Sequence, residues 1–190
     1  MSTTNPTLLS GGFAVSDVAA VVLKTTSKSY MVKTGSEITC KPAISSGTEK
    51  ELRKGNTILA LNKTDDILKG MDIDLTDLLM HVEVYALVDG GTVTNASEGG
   101  AFQKYAAPVT GSPVTRTEFT LEVYCADIGT DAKPAGYVKL SFPNCKGTPA
   151  EFSAKDGDFY SPKYTIQSRP TSGSSPYEIT YEDALPTAAS

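Results

Sequence analysis

The sequence predicts a mainly β protein, an antiparallel β-sandwich or barrel with one flanking α-helix at about residues 76–89. Short segments in which apolar and polar residues alternate recur along the chain, as in strands with one buried face. The 16 Gly and 11 Pro residues lie largely between these segments, where turns are expected. Only residues 74–91 have a clear helical spacing of apolar side chains.

Several short strands are predicted in succession, which favours a sandwich or barrel of antiparallel strands. The clearest is 115–127, where Phe119, Leu121, Val123 and Cys125 face inward. The predicted strands cover residues 17–25, 28–34, 36–41, 57–62, 66–74, 102–106, 115–127, 135–142, 149–154, 159–169 and 176–182.

The length of 190 residues suits one domain, which we place at residues 13–186. Residues 1–12 are small, polar and end in Gly, so we expect a flexible N-terminal arm, with a C-terminal tail at residues 187–190. Residues 42–56 contain five charged side chains and only three apolar ones. We interpret this segment as a long charged loop, a feature that often carries a function.

The predicted helix follows a strand directly. Thr76 is a suitable N-cap, and Asp77 places a negative charge in the first turn, where the helix dipole favours it. Gly90 and Gly91 supply a left-handed stop. The apolar line of the helix is Leu75, Leu79, Val82 and Ala86, widened by Leu78 and Tyr85. This helix would cover one face or edge of a sheet.

Charge and cysteine content exclude several classes of protein. The net charge is −5, from 17 Lys and Arg against 22 Asp and Glu, which disfavours DNA binding because phosphates would be repelled. Cys40, Cys125 and Cys145 lack metal-ligand spacing, and their odd number favours a reduced compartment. The N-terminus has no signal-peptide pattern, and no apolar run is long enough to cross a membrane.

The sequence offers no pattern typical of an enzyme. His81, the only histidine, is expected on the surface of the helix, and no nucleophile can be tied to it. Phosphate-binding glycine loops are absent from the sequence. We therefore predict no enzymatic activity, no catalytic or metal-binding residues and no cofactor.

Four acidic side chains are expected on the outward faces of strands: Asp72, Asp74, Glu118 and Glu122. Two interpretations remain open. They can belong to an ordinary solvated face, or they can line a shared negative channel that does not retain DNA passing through it.

The order of these elements, over residues 15–186, resembles the major tail proteins, or tail tube proteins, of long-tailed bacteriophages. Two segments carry most of the resemblance. The segment "GMDIDLTDLLMHVEVYALVDGGT" resembles the strand of that family that leads into a helix ending at Gly-Gly. The segment "FYSPKYTIQSRPTSGSSPYEITYEDALP" resembles its closing strands. Neither motif is catalytic.

The resemblance implies a structural virion protein whose copies form hexameric rings, and rings that stack into a hollow tube. DNA would pass through this tube without specific binding. Further partners would be the tail terminator, baseplate or tip and tape-measure proteins, with no membrane contact. The protein would reside in the phage tail, and in the host cytoplasm during assembly.

By the same resemblance, the loop at 42–56 would reach a neighbouring subunit or the next ring. Its candidate contact residues carry both signs of charge: Glu49, Lys50, Glu51, Arg53 and Lys54. We expect this loop to become ordered on assembly.

The alternative is a non-enzymatic binding module, such as a carbohydrate-binding β-sandwich or a virion decoration protein. Such a module places exposed aromatic side chains on one face. The candidates for that face are Tyr160, Tyr164, Tyr177 and Tyr181.

Overall fold

The computed structural model describes residues 11–97 and 100–187. Within them the protein is mainly β, with antiparallel strands and one helix, which confirms the predicted fold class. The strands are β1 (Val15–Lys24), β2 (Ser29–Val32), β3 (Gly35–Ser45), β4 (Glu49–Lys54), β5 (Thr57–Lys63), β6 (Ile67–Asp77), β7 (Thr92–Asn95), β8 (Phe102–Ala106), β9 (Phe119–Ile128), β10 (Pro134–Gly147), β11 (Lys163–Ser168) and β12 (Glu178–Glu182). The helix is α1 (Val82–Asp89).

Eight of the strands form one antiparallel sheet in the order β2-β1-β9-β10-β11-β6-β3, with β12 added beside β10. The long strand β10 changes partner along its length: residues 137–141 pair with β12, and residues 145–147 pair with β11. An irregularity at Pro143 and Asn144 separates the two halves. The sheet curls until Gly35, at the start of β3, packs against Val21 of β1. This curvature encloses a core.

The core consists of the side chains that the strands direct to the inner face of the curled sheet. Leu23, Leu121 and Phe142 are aligned across three neighbouring strands, and each is almost fully buried. Ile73 and Ile166 are directly paired on the opposite wall, with no exposed area. Burying an aliphatic or aromatic side chain of this size contributes about 1.5–3 kcal/mol. These rows therefore hold the two walls together.

The predicted start of the helix at Thr76 is wrong. Residues 67–77 form one strand, β6, in which Thr76 pairs with Glu37 on one side and Lys163 on the other. Pairing on both sides provides ladder hydrogen bonds that a single helical turn could not replace. The helix begins at Val82, after an exposed turn, and ends at Gly90 in the left-handed conformation, as predicted.

The buried face of α1 also differs from the predicted apolar line. Val84, Tyr85 and Val88 are buried against the sheet, while Leu79 lies exposed before the helix. With eight residues, α1 is about 12 Å long. No helix among the described residues has the length and apolarity that crossing a bilayer requires.

The charged loop predicted at 42–56 is also wrong. Its first residues continue β3 as far as Ser45, and Glu49–Lys54 form β4, which pairs with β5 around a turn at Gly55 and Asn56. A hairpin whose two faces are both exposed has no buried face, so the apolar alternation that identifies other strands is missing. Composition alone therefore indicated a loop.

Two smaller differences concern the second half of the chain. Residues 149–154, predicted as a strand, have no strand pairing, and the chain there runs without regular structure until Pro162. The connection expected at 91–101 contains β7, which pairs with β8. The predicted N-terminal arm lies outside the described residues except for 11 and 12, and the C-terminal tail does so except for 187.

Each of the three cysteines is a free thiol, and two of them are buried in the core. Burial raises the pKa of Cys40 to about 11 and that of Cys145 to about 12. The thiolate is the reactive form, so at neutral pH these side chains are small apolar packing groups.

We expect the thiols of the native protein to react slowly with a thiol-specific disulfide reagent at pH 8, and rapidly after denaturation in urea. Unfolding returns these pKa values to about 9, which increases the thiolate fraction. By the same linkage, the free energy of unfolding should decrease as the pH rises above about 9, because only the unfolded chain releases these protons. Equal rates of labelling in the native and unfolded protein would contradict this account.

Candidate functional site

The most unusual surface of the molecule is the hairpin of β4 and β5, residues 49–63, which we call the arm. Its strands pair only with each other among the described residues, and every residue in them is exposed. At about 3.3 Å per residue each strand extends about 20 Å. Four large aliphatic side chains on the arm are each between 48% and 61% exposed: Leu52, Ile58, Leu59 and Leu61.

The arm continues a ribbon that starts inside the sheet. The strands β3 and β6 pair from Gly35 and Asp77 to Ser45 and Ile67. The arm follows this ribbon after a short break at residues 46–48 and 64–66. Ile44, Ile67 and Leu68, at the outer end of the ribbon, are also exposed. The apolar surface therefore extends from the edge of the body to the arm.

Gly70 marks the place where the ribbon leaves the body. A Cβ atom here would lie 2.0 Å from the carbonyl oxygen of Ser168, the last residue of β11. The φ angle of Gly70 is 151°, which L residues rarely adopt. From Gly70 back to its first residue, Ile67, β6 has no β11 partner and pairs with β3 alone. Glycine thus permits the departure of the ribbon from the sheet.

A second close approach fixes the joint between ribbon and arm. A Cβ atom on Gly47 would lie 1.9 Å from the carbonyl oxygen of Thr64. Hydrogen bonds join the two strands here: the Thr48 amide donates to the Thr64 hydroxyl at 2.8 Å, and the Thr64 amide donates to the Thr48 carbonyl at 2.9 Å. The Gly47 amide donates to the Asp66 carboxylate at 2.7 Å. These contacts set the direction of the arm.

The five charged residues predicted as contacts all lie on β4 and are exposed. Arg53 forms an ion pair with Glu51 at 2.7 Å, and Glu49 lies 4.0 Å from Lys63 on β5. The sequence interpretation predicted a strand at 57–62 but did not include its aliphatic side chains among the contact residues. The signal was available: "TILAL" at 57–61 is a strand-like apolar run beside charged β4.

The four acidic candidates all point away from the core, but they do not form a run of unpaired carboxylates. Asp72 is 2.5 Å from the Arg169 guanidinium, and Asp74 accepts a hydrogen bond from Thr165 at 3.0 Å. Glu118 is 2.8 Å from the Lys146 ammonium. The hydrogen bond from Lys146 and its positive charge lower the pKa of Glu118.

Glu122 differs most from the predicted acidic surface because it is buried. It forms an ion pair with Lys24 at 2.7 Å and accepts a hydrogen bond from Tyr124 at 2.9 Å. Ala20, Val22 and Tyr124 form a second small apolar cluster on this outer face, and Leu185 of the C-terminal segment packs against it. The covering segment explains the error, because alternation in β9 identified the outer face but not what lies on it.

The predicted tyrosine patch is not formed. Tyr164 is only 1% exposed and belongs to the core, while Tyr160 lies in the chain segment before β11. Tyr177 and Tyr181 lie near β12, where Tyr181 stacks on Phe13 with ring centroids 5.0 Å apart. The four side chains therefore do not share one face.

A different aromatic surface lies between β10 and β11, at residues 148–162, which we call the aromatic loop. Phe159 is 96% exposed and Phe152 is 64% exposed. The ring of Phe152 packs on that of Tyr160, with centroids 4.6 Å apart. Tyr160 also donates a hydrogen bond to the Glu151 carbonyl at 2.8 Å. Beside these residues an open groove of about 430 Å³ is lined by Glu151, Tyr160 and Lys163.

The buried carboxylate of Asp89, at the end of α1, holds the start of the aromatic loop. The Ala150 amide donates to it at 3.1 Å, and the hydroxyl of Tyr105 from β8 donates to its other oxygen. Burial, together with the hydrogen bond to Asp89, raises the pKa of Tyr105, so its proton remains available as donor. The loop is thereby attached to the helix.

His81 is not in the middle of a helix, as the sequence suggested, but occupies the position before α1. Its Nδ1 lies 2.9 Å from the Asp77 carboxylate, which is only 1% exposed. Asp77 also accepts a hydrogen bond from Thr34 at 2.5 Å. This cluster joins the end of β6 to the β2–β3 connection. No group of three His, Cys, Asp or Glu side chains among the described residues has a geometry that could hold a metal ion.

Three strands of the sheet have an edge without a partner in the described part of the chain, and one of them is β3, which pairs only with β6. β2 pairs only with β1, and β12 pairs only with β10. Exposed strand edges are ready to pair with another chain. The surfaces available for association therefore include the arm, the aromatic loop and these three edges.

No family model matches the chain, and none of the curated proteins compared with it matches. Among solved structures, similarity extends to a chain in the cryo-EM structure of the anti-feeding prophage (AFP) baseplate, 6-fold symmetrised. The TM-score is 0.36 and the sequence identity is 10%, over 96% of this chain and 95% of that chain.

We expect Gly47→Ala to loosen the arm and leave the body folded. The added methyl group cannot fit beside the Thr64 carbonyl, so the hydrogen bonds of the joint must break. Trypsin should then cleave at Arg53 and Lys54 several-fold faster, because cleavage follows local opening. The melting temperature should change by less than about 3 °C, since the arm lies outside the core.

Gly12→Ala is the control, because no atom lies within 4 Å of the Cβ position there. An unchanged rate of cleavage in the Gly47 variant would show that the joint does not hold the arm.

Proposed function

We propose that the protein is a structural, self-assembling component of a phage tail or a related injection device, and specifically a tail tube protein. The observation that carries the proposal is the arm. A lone two-stranded hairpin is at best marginally stable in water, and this one exposes aliphatic side chains such as Leu52, which is 61% exposed. Such an element is stabilised when another surface covers it.

The proposal assigns two kinds of contact to the copies of this chain. Edges β2 and β12 would join neighbouring subunits in a ring, since an unpaired edge can extend a sheet from one subunit to the next. The arm would reach a subunit of the adjacent ring. Both contacts join different surfaces of two copies. The edge contact closes a ring by rotation, and the arm contact continues from one ring to the next as a stack. The number of six subunits in each ring is taken from the resemblance of the sequence to tail tube proteins.

Charge supports the passive role that the proposal gives to DNA. Asp72, Glu118 and Glu122 each pair with a cation, so the outer sheet face is a mixture of both signs. The net charge of −5 disfavours retention of a polyanion. In this proposal DNA passes through the tube without being bound, and the protein needs no cofactor and performs no catalytic step.

The proposal is tested by replacing the arm. Thr48 and Thr64 are hydrogen-bonded neighbours, so a two-residue Asn-Gly turn can join them in place of residues 49–63. We expect this variant to fold with an unchanged core but to form no stacks or tubes under conditions where the intact chain forms them. The measurements are negative-stain electron microscopy and sedimentation velocity over a concentration series.

The matched control keeps the arm but carries Asn56→Ala at its tip. Tubes formed by the arm-less variant would contradict the assignment of stacking to the arm. An intact chain that stays monomeric at every concentration and binds an immobilised glycan would favour the carbohydrate-binding alternative.

A further inference from the structure

The arm and the aromatic loop lie at opposite ends of the same ribbon. The arm begins beyond Ile67, the first residue of β6, and Asp77 is the last. The Asp77 amide donates to the Pro162 carbonyl at 2.9 Å, which places the end of the aromatic loop beside the last residue of β6. Since β6 has 11 residues, about 33 Å separates the two ends. Both surfaces are exposed, so the arm does not cover the loop of its own chain.

The two surfaces carry opposite charge. The arm has four cationic side chains and two carboxylates, a surplus of two positive charges. The aromatic loop has Glu151, Asp156 and Asp158 against Lys155, a surplus of two negative charges. No ion pair involves these four loop residues, or Lys50 and Lys54 on the arm, within residues 11–97 and 100–187.

Their apolar groups are also of complementary kinds. The arm exposes flexible aliphatic side chains, among them Leu59 and Leu61, and the loop exposes the rings of Phe152 and Phe159. Aromatic side chains surrounded by polar groups are typical of the centre of a protein interface. Within residues 11–97 and 100–187 neither set is covered, as their exposure shows.

We propose that the aromatic loop is the docking surface for the arm of a second copy of this chain. The contact rests on the proposed self-assembly and identifies its acceptor. The basic tip at Arg53 and Lys54 lies against Glu151 and Asp156, while the aliphatic side chains of the arm cover the exposed phenyl rings. Because donor and acceptor are at opposite ends, each copy accepts one arm and donates one, and the chain of contacts continues head to tail.

Charge reversal at each end tests this pairing. The donor-blocked variant carries Arg53→Glu and Lys54→Glu, and the acceptor-blocked variant carries Glu151→Lys and Asp156→Lys. Asp158 is left intact because its carboxylate accepts a hydrogen bond from the Phe159 amide at 2.9 Å. Like charges facing each other cost several kcal/mol, so each variant alone should associate about 100-fold more weakly than the intact chain or worse.

Sedimentation velocity at low salt is the measurement. The decisive sample is an equimolar mixture of the two blocked variants, since each retains the functional surface that the other lacks. They should associate again and grow head to tail, because the intact arm docks on the intact loop and the reversed arm meets a loop whose charge is also reversed. A chain with all four substitutions should associate again, with the charges exchanged. Asp131→Lys, an exposed reversal in the β9–β10 turn, is the control and should associate like the intact chain.

The outcomes separate this inference from the proposed function. If the intact chain assembles and the acceptor-blocked variant assembles equally well, the docking surface is wrong and self-assembly stands. A mixture that stays monomeric while the intact chain assembles also overturns the docking surface. If neither the intact chain nor the mixture associates at any concentration, both the inference and the proposed function are overturned.

Discussion

The pairing of β3 with β6 is the interaction on which the rest of the structure depends. On one side β6 pairs with β11, and its inner residues Ile73 and Leu75 are core side chains. On the other side it pairs with β3, and together they form the ribbon that leads to the arm. The same ladder therefore closes the wall of the core and fixes the direction of the arm. Disturbing its register would displace both.

The body of the protein does not need the arm for its own folding, and the arm adds a risk of aggregation. Exposed aliphatic strands are an aggregation hazard, and natural proteins reduce such hazards with charged side chains on the edge. Here the alternation of Glu and Lys along β4, with Arg53 and Lys54 at the tip, has that effect. The same charges give the arm a sign opposite to that of the chain as a whole. The charges thus keep the arm from incorrect partners, and their positive sign favours one acidic partner surface.

The parts of the fold that bury one face of a strand could be predicted from the sequence. Strand β9 was correctly identified from the alternation of Phe119, Leu121 and Val123, and the fold class followed. The start of the helix could not be predicted, because Leu75 and Thr76 fit a helical pattern as well as a strand. Only the partners on both sides of β6, which are remote in sequence, decide between them. Helix boundaries set by tertiary pairing are not visible in local propensity.

The contact role of the charged residues at 49–54 stays a prediction, and the structure shows that they lie on a strand and not in a loop. The charged residues of 49–54 pointed to a contact surface, and they lie on the arm. The strand at 57–62 was predicted, but its pairing with β4 was missed because β4 has no buried face, and the aromatic loop was mistaken in part for a strand. The burial of Tyr164 follows the alternation of β11, which was overlooked, whereas the burial of Glu122 on the outer face is not visible in the alternation of β9. Contacts between segments remote in sequence decide whether side chains such as Glu122 are exposed or buried, and a local pattern does not show such contacts.

The central claim is that the arm becomes covered by another copy of the chain. Amide hydrogen exchange, followed by mass spectrometry on dilute and on assembled protein, tests it most directly. The account predicts fast exchange at β4 and β5 in the dilute protein, strong protection of both strands after assembly, and little change in the core strands β6 and β9. Equally fast exchange of the arm in assembled particles would show that no partner covers it and would contradict the account.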